Sequence, residues 1–414
     1  MTTLRRDDLR PWLQLAAFDW LGETLKCQLI KRFGHPAAAF AAPPDLLAEL
    51  PGWSGEKLQR FVTARKPRHL PEPPERLWVD LEGTGILVLP FDHPQYPERL
   101  REIPDAPVVL YALGDPGAVA RPAVAVVGAR RASAQGLDTA HALARDLAAA
   151  GFAVVSGLAL GVDTLAHKGA LAAGGATAAV LGGGVDVVHP VANRRVRDDI
   201  LAGGGVLFSE FAPGSPPLAW HFPLRNRIIA GLALGVVVVE GTGRSGALIT
   251  ARCAQAQDRD VFAVPGSIRQ ELAVAPNELL KRGATAVTSA TDIIACYTHM
   301  QPALRPLAPG AGAAGDGLAD PAFFSPRELD LLRQCAAEPV TLDQLLALGH
   351  WSAEELYSLL LALEMRHALV RHPGNLYQSR LRPDRTRGAN MSPCPTDGVP
   401  DGSLARRKGT APPR

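Results

Sequence analysis

Short apolar runs without alternation dominate the middle of this chain. AVAVV, VVS, AAVL, VVVVE and VFAV follow one another between Ala123 and about Ala295, and most of them end in glycine-rich turns. Runs of this kind, too short for helices and apolar on both sides of the backbone, predict strands buried on both faces of a sheet. Stretches rich in Ala and Leu at helical spacing lie between them, for example Ala140 to Ala150. Strand, glycine turn and helix in repetition predict an α/β fold: an extended Rossmann-like, doubly wound parallel sheet over 123–295. Such a sheet takes ligands outside the carboxyl ends of its strands, where the glycine turns fall.

The flanking segments carry other patterns. Trp12, Leu13, Leu15, Ala16 and Leu21 have helical spacing. LLAELPGWSGEKLQRFV then reads as helix, Pro-Gly turn, helix. Residues 1–66 are therefore expected to form a small helical domain. Its turn leaves two readings open. One is a helix-hairpin-helix (SAM-like) unit, whose backbone N–H groups hold a DNA phosphate. The other is a plain helical hairpin packed on the next domain. Residues 67–122 are rich in proline and read as a lead-in containing short strands at Ile86-Leu89 and Val108-Tyr111.

Beyond the central domain, 296–322 is a Pro/Gly/Ala linker without periodicity. Residues 323–379 read as three helices and a small hairpin, a C-terminal winged-helix-like domain. Ser325 caps its first helix, with Pro326 at the first position and Glu328 in the first turn. Ser352 and Glu355 suit a capping box on the third helix. That helix carries Glu354, Glu355 and Glu364 against Arg366 and His367, and acids on a reading face repel phosphates. Protein contact or scaffolding fits it better than major-groove reading. The tail, 380–414, is basic, rich in Pro, Gly and Ser, and expected to be disordered. It reads either as solvated chain or as weak, non-specific attraction to nucleic acid.

Composition narrows the function. The chain has 414 residues, is 47% hydrophobic and carries a net charge of +2, so its overall charge announces no nucleic-acid partner. Five scattered cysteines form no C-x-x-C pair, which argues against a zinc site or a disulfide framework and fits a reducing cytoplasm. MTTLRRDDLRPW does not read as a signal peptide, and no apolar run reaches membrane-spanning length. G-x-G-x-x-G, G-x-x-x-x-G-K-[ST] and G-x-S-x-G are all missing, and no spacing of His, Cys and carboxylates suggests a metal. No cofactor and no catalytic residue is expected.

What remains is an anion-cradling surface. Gly128, Arg130 and Arg131 follow the first strand, and the next helix should point its positive end at a bound phosphate. Ser156 and Gly157 end the second strand; Gly182 and Gly183 end the third. His221-Phe222-Pro223-Leu224-Arg225-Asn226-Arg227 opens a helix with two guanidiniums, and Phe222 either stacks on a base or packs in the core. Glu240 is followed by a glycine loop with Arg244, Ser245 and Gly246. Any one glycine is most simply a tight turn. Their occurrence together with Arg130, Arg225, Arg227 and Arg244 points to anion binding, because an arginine clamps a phosphate and stacks on a base at once.

The strings GARRAS, SGLALGVDTLAHKGAL, LGGGVDVVHPVANR, SEFAPGSPPLAWHFPLRNRIIAGL, RSGALITA and VFAVPGS, in this order, resemble the DNA-processing protein A family (DprA, also called Smf). The likeness covers roughly Tyr96 to Ile294. It implies a non-enzymatic protein of natural transformation that binds incoming single-stranded DNA in a basic pocket, dimerises through the Rossmann-like domain and helps load the RecA recombinase. By match to the motif, Arg130 is the pocket arginine. Asn193 and Arg194 belong to the same expected set, Arg194 or Arg195 standing in for a basic residue the family often has at Val191. The chain also departs from the pattern at Leu160, where the family usually has arginine, and at His189, where tyrosine is common. A competing reading compares the loop after VVVVE with that of nucleotide-processing enzymes similar to phosphoribohydrolases. Glu240 and Arg244 would then act on a nucleoside monophosphate.

Overall fold

The computed structural model describes residues 5–297, apart from 74 and 82, and 325–379, apart from 336–339, 349, 366–367 and 373–375. Contacts divide the chain into two compact units, Met1–Gly315 and Asp316–Arg414. Most of the expected linker and all of the expected basic tail lie outside the described residues.

The first unit opens with helices α1 (Arg6–Ala16), α2 (Glu23–Phe33), α3 (Pro36–Ala41), α4 (Pro44–Ala48) and α5 (Gly55–Ala64). Leu21 lies beyond the end of α1, buried in the turn before α2. Between α4 and α5 the chain turns at Gly52, whose φ of +79° is a left-handed conformation that suits glycine. The Ser54 hydroxyl then accepts a hydrogen bond from Lys57 N–H and caps α5. Trp53 and Phe61 pack edge to face, 5.1 Å apart. Both belong to a buried apolar cluster that runs without a break into Leu89, Leu100 and Ile103, so these helices share the core of the sheet that follows.

That sheet has nine strands. After α6 (Glu75–Leu81) come β1 (Ile86–Pro90), α7 (Glu98–Glu102) and β2 (Val109–Gly114). The Rossmann-like part then alternates: β3 (Ala123–Val127), α8 (Ala134–Ala149), β4 (Ala153–Ser156), α9 (Val162–Ala172), β5 (Thr177–Val180), α10 (Arg194–Ala202), β6 (Val206–Ser209), α11 (His221–Leu232), β7 (Gly235–Val238), α12 (Gly246–Ala256), β8 (Asp260–Ala263), α13 (Val274–Lys281), β9 (Thr285–Ala286) and α14 (Ala290–Tyr297). The strand order is β1-β2-β6-β5-β4-β3-β7-β8-β9. From β6 to β9 every pairing is parallel. β2 is antiparallel to β6, with Tyr111 opposite Ser209, and β1 is antiparallel to β2. The proline-rich lead-in therefore extends the sheet instead of merely preceding it.

Burial on both faces explains the apolar runs. Ala123, Ala125 and Val127 face one buried cluster, with Val236 and Val238 of β7. Val124 and Val126 face another, with Leu143 and Leu147 of α8. The chain leaves β3 toward β4, β5 and β6 on one side, then returns across to β7 on the other. This reversal opens a crevice at the carboxyl ends of β3 and β7, the place where such sheets hold ligands.

The second unit contains α15 (Pro326–Gln334), β10 (Val340–Thr341), α16 (Leu342–Ala347), α17 (Ala353–Met365), β11 (Leu369–His372) and β12 (Leu376–Ser379). Its strands form an antiparallel sheet in the order β10-β12-β11. The core gathers Leu331, Leu345, Trp351, Leu356, Leu360 and Tyr377. This is a winged-helix arrangement. Ser325 and Glu328 form the expected reciprocal cap, and Ser352 Oγ accepts from Glu355 N–H at 3.2 Å. Glu355 also pairs with Arg327, so one of the acids on α17 is neutralised within the unit. Arg366 and His367 lie outside the described residues.

Candidate nucleic-acid interface

A cleft of about 530 Å³ occupies the crevice between β3 and β7. Gly128, Arg130 and Arg131 enter it from the loop after β3. Phe222, Arg225 and Asn226 come from the start of α11, and Thr242, Ser245 and Gly246 from the loop after β7.

Two guanidiniums approach one ring. Arg130 is exposed, and its Cζ stands 5.4 Å from the centre of the Phe222 ring. It makes no hydrogen bond or ion pair to any described residue. Arg225 approaches the same ring to 5.7 Å but is only 4% exposed. Its Nη1 donates to the carbonyl of Gly157 at 2.7 Å and to that of Val180, and its Nε donates to Asn226 Oδ1 at 3.1 Å. The side chain thus ties the carboxyl ends of β4 and β5 together, while Nη2 has no described partner. Burial pushes its pKa down to about 10, Asp163 working against that shift and Arg130 with it. It remains a cation at neutral pH. Burial raises the Asp163 carboxyl, against the pull of Arg225 and of the N–H groups of Ala159 and Gly157, which donate to Oδ2.

Gly128, Gly157, Gly182 and Gly183 serve packing more than ligand approach, whereas Gly246 faces open space. A side chain on Gly157 would meet Arg225 Nη2 at 2.5 Å and Asp163 Oδ2 at 2.8 Å, and one on Gly128 would meet Val162 at 2.6 Å. Gly182 is pressed against the Phe222 ring, 3.0 Å from where its Cβ would stand. Gly183 accepts a hydrogen bond from Ser209 Oγ through its carbonyl. In each case a protein group, and not an open face, fills the space a side chain would need.

Several expected contacts point elsewhere. The α8 N-terminus is not open to a phosphate, because Glu240 crosses from the end of β7 and fills it. Glu240 accepts from Ser133 N–H at 2.8 Å and from Ser133 Oγ at 2.6 Å. The helix end that does reach the cleft is that of α12, where Ser245 Oγ accepts from Ala247 N–H. Arg227, two residues after Arg225, leaves α11 in another direction. It is buried against Glu210 at 2.5 Å and Asp105 at 3.5 Å, and these acids, with Glu23, hold it protonated despite burial. Ser156 and Asn193 are buried as well. Ser156 Oγ donates to the Val126 carbonyl, and the Asn193 amide donates to the Leu158 carbonyl and to Thr164 Oγ1. Arg194 and Arg244 are exposed and stand outside the cleft lining. At two of the departures from the family pattern, Leu160 is 44% and Val191 66% exposed.

Sequence reasoning passed over Ser133 as the anchor of Glu240. The one sign of Ser133's role was its position before the helix at Ala134, where serine favours a cap.

The chain matches two family models: DNA recombination-mediator protein A over residues 87–298, and the DprA winged helix domain over 313–375. It is 34% identical to Protein Smf of Escherichia coli over 383 residues, which cover 90% of this chain and 96% of that protein. With the DNA processing protein DprA of Streptococcus pneumoniae it shares 48% identity over 200 residues, 48% of this chain and 70% of that one. The X-ray structure of DprA from the same species superposes with a TM-score of 0.57 at 35% identity, covering 69% of this chain and 97% of that chain. Among the described residues no helix is long and apolar enough to cross a membrane.

Proposed function

Since this chain belongs to the DNA recombination-mediator protein A (DprA/Smf) family, we propose that its cleft binds single-stranded DNA without sequence preference and that the protein mediates recombination without catalysing a reaction. The observation that carries this reading is the Phe222 ring approached by both an exposed Arg130, with no partner among the described residues, and a buried Arg225. A base stacks on such a ring while the cations neutralise its phosphates. Arg131 and the α12 N-terminus add positive potential on either side. Arg225 serves two ends: it braces β4 against β5 and keeps Nη2 for the ligand.

In this reading the protein dimerises and hands the bound strand to the RecA recombinase, as its family resemblance implies. Titration with labelled single- and double-stranded oligonucleotides at two salt concentrations tests the binding step. Tight, strongly salt-dependent capture of the single strand is the expected result. Absence of single-strand binding at low salt overturns it. Light scattering at micromolar concentration tests the dimer. Stimulation of RecA filament growth on a pre-bound strand tests the handover.

The competing hydrolase reading needs Glu240 free to act on a nucleotide. Its carboxylate instead carries two hydrogen bonds from Ser133. Incubation with nucleoside monophosphates is expected to give no turnover.

A further inference from the structure

We infer that Trp220 is a second base-stacking platform at the lip of the cleft, taking a nucleobase of the strand beyond the one on Phe222. This rests on the reading of the cleft as a single-stranded DNA interface. Trp220 is 60% exposed, an unusual state for the largest apolar side chain. It is exposed yet held in place. Its ring stands edge-on to His221, 4.1 Å between centres at 76°, and to Phe211 at 6.5 Å and 90°. His221 stacks flat on Phe211 at 3.7 Å and 18°, and its Nδ1 is 2.9 Å from the Gly182 carbonyl. The support is therefore rigid, and a fixed aromatic face loses little entropy when a ligand stacks on it.

Position selects the ligand. Ala219, Phe222 and Pro223 line the cleft on both sides of Trp220 in sequence. Leu224, one helical turn further along α11, is also exposed at 47%, and Leu218 at 41%. The apolar lip is thus continuous with a cleft whose charges suit phosphates. A nucleic-acid strand offers both chemistries at once, anionic links and flat apolar bases. The indole N–H has no described partner and stays available to a base edge.

The test compares Trp220→Ala, Trp220→Phe and Arg130→Ala in the full-length protein, using an oligothymidylate and the matching chain of abasic sites. Trp220→Ala is expected to weaken oligothymidylate binding by roughly 5- to 150-fold, the range of one base–aromatic stack. The salt slope should stay unchanged, since no phosphate contact is lost. Trp220→Phe should recover most of the loss, and the abasic chain should not distinguish Trp220→Ala from the parent. Equal losses on the two ligands, no loss, or no recovery by Phe overturns the inference. So does a Trp220→Ala protein whose loss tracks a change in oligomeric state, which would make the lip an interface between copies. If Arg130→Ala weakens binding while Trp220→Ala does not, the cleft reading survives and the platform fails. If the unaltered protein binds no single strand, both fall.

Discussion

Glu240 and Ser133, 107 residues apart in sequence, are joined by two hydrogen bonds, to the serine's backbone N–H and to its hydroxyl. The carboxylate occupies the α8 N-terminus, where a negative charge is stabilised by the unpaired N–H groups and the helix dipole. It also links the loops after β3 and β7, the two that bound the cleft. Glu240→Gln keeps the shape and removes the charge. It should cost about 1–2 kcal/mol of stability in urea unfolding. Nucleotide turnover should be absent in both proteins. A Glu240→Gln protein as stable as the parent would show the link to be idle.

Arg130 has no ionic partner within the described fold and stands at the mouth of the cleft. Arg130→Ala should weaken single-stranded DNA binding by about 1–3 kcal/mol, the value of a stacked, phosphate-pairing side chain. The salt slope should become shallower by roughly one contact, about 0.7 for a single strand. The melting temperature should hardly move, because an exposed loop arginine carries little of the core. Unaltered binding in a folded variant would remove the cleft from the DNA path.

Arg227 should behave oppositely, although it sits two residues from Arg225 in the same motif. Removing it leaves Glu210, 11% exposed, and the half-buried Asp105 without their guanidinium. Arg227→Ala is therefore expected to lose about 3–5 kcal/mol of folding stability. In whatever fraction folds, the salt slope of DNA binding should match that of the unaltered protein. A shallower slope with an unchanged melting temperature would return Arg227 to the DNA contacts.

The contrast between Arg225 and Arg227 marks the limit of what was legible beforehand. The strands were readable because Val and Ala fill both faces of β3 and all but one position each of β4 and β7. The cleft was readable in outline because glycine loops follow parallel strands, and the topology brings those ends together. Which side of α11 each arginine leaves depends on partners 17 and 122 residues upstream of Arg227, Glu210 and Asp105, and no local pattern announces them. The same holds for β1 and β2. Their short apolar runs were visible, but antiparallel addition next to β6 is decided by the pairing of Tyr111 with Ser209. The α8 N-terminus looked open for a similar reason: the group that closes it arrives from β7.

His167 gives the fold a pH dependence. It is fully buried, and its Nδ1 lies 2.7 Å from Thr177 Oγ1. That hydroxyl gives its own proton to the Val154 carbonyl, so Nδ1 is the donor and the neutral ring is the fitting form. Burial, together with Arg225, pushes the imidazole pKa down to about 3 from 6.5. Above 6.5 the ring is neutral in both the folded and unfolded states, and stability is at its full value. Between 6.5 and about 3 the unfolded chain takes up a proton that the folded chain refuses, so stability falls as pH falls. Urea midpoints measured across that window should decline, and His167→Gln should flatten part of the decline. An identical slope in the variant would assign the effect to other groups.

Gly161 holds the Arg130 loop by main chain alone. Its φ is +81°, and the space a side chain would need is taken by the carbonyls of Ala129 and, at 2.7 Å, Arg130. Next door, the N–H of Val162 donates to the Ala129 carbonyl at 3.2 Å. The close approach of Gly161 thus fixes the path of the main chain beneath Arg130. Leu160, exposed and next to Gly161 in sequence, should therefore accept a charged replacement without displacing that main chain. On the proposed reading, charge at this rim would set how strongly salt governs capture, while the seat beneath keeps its form.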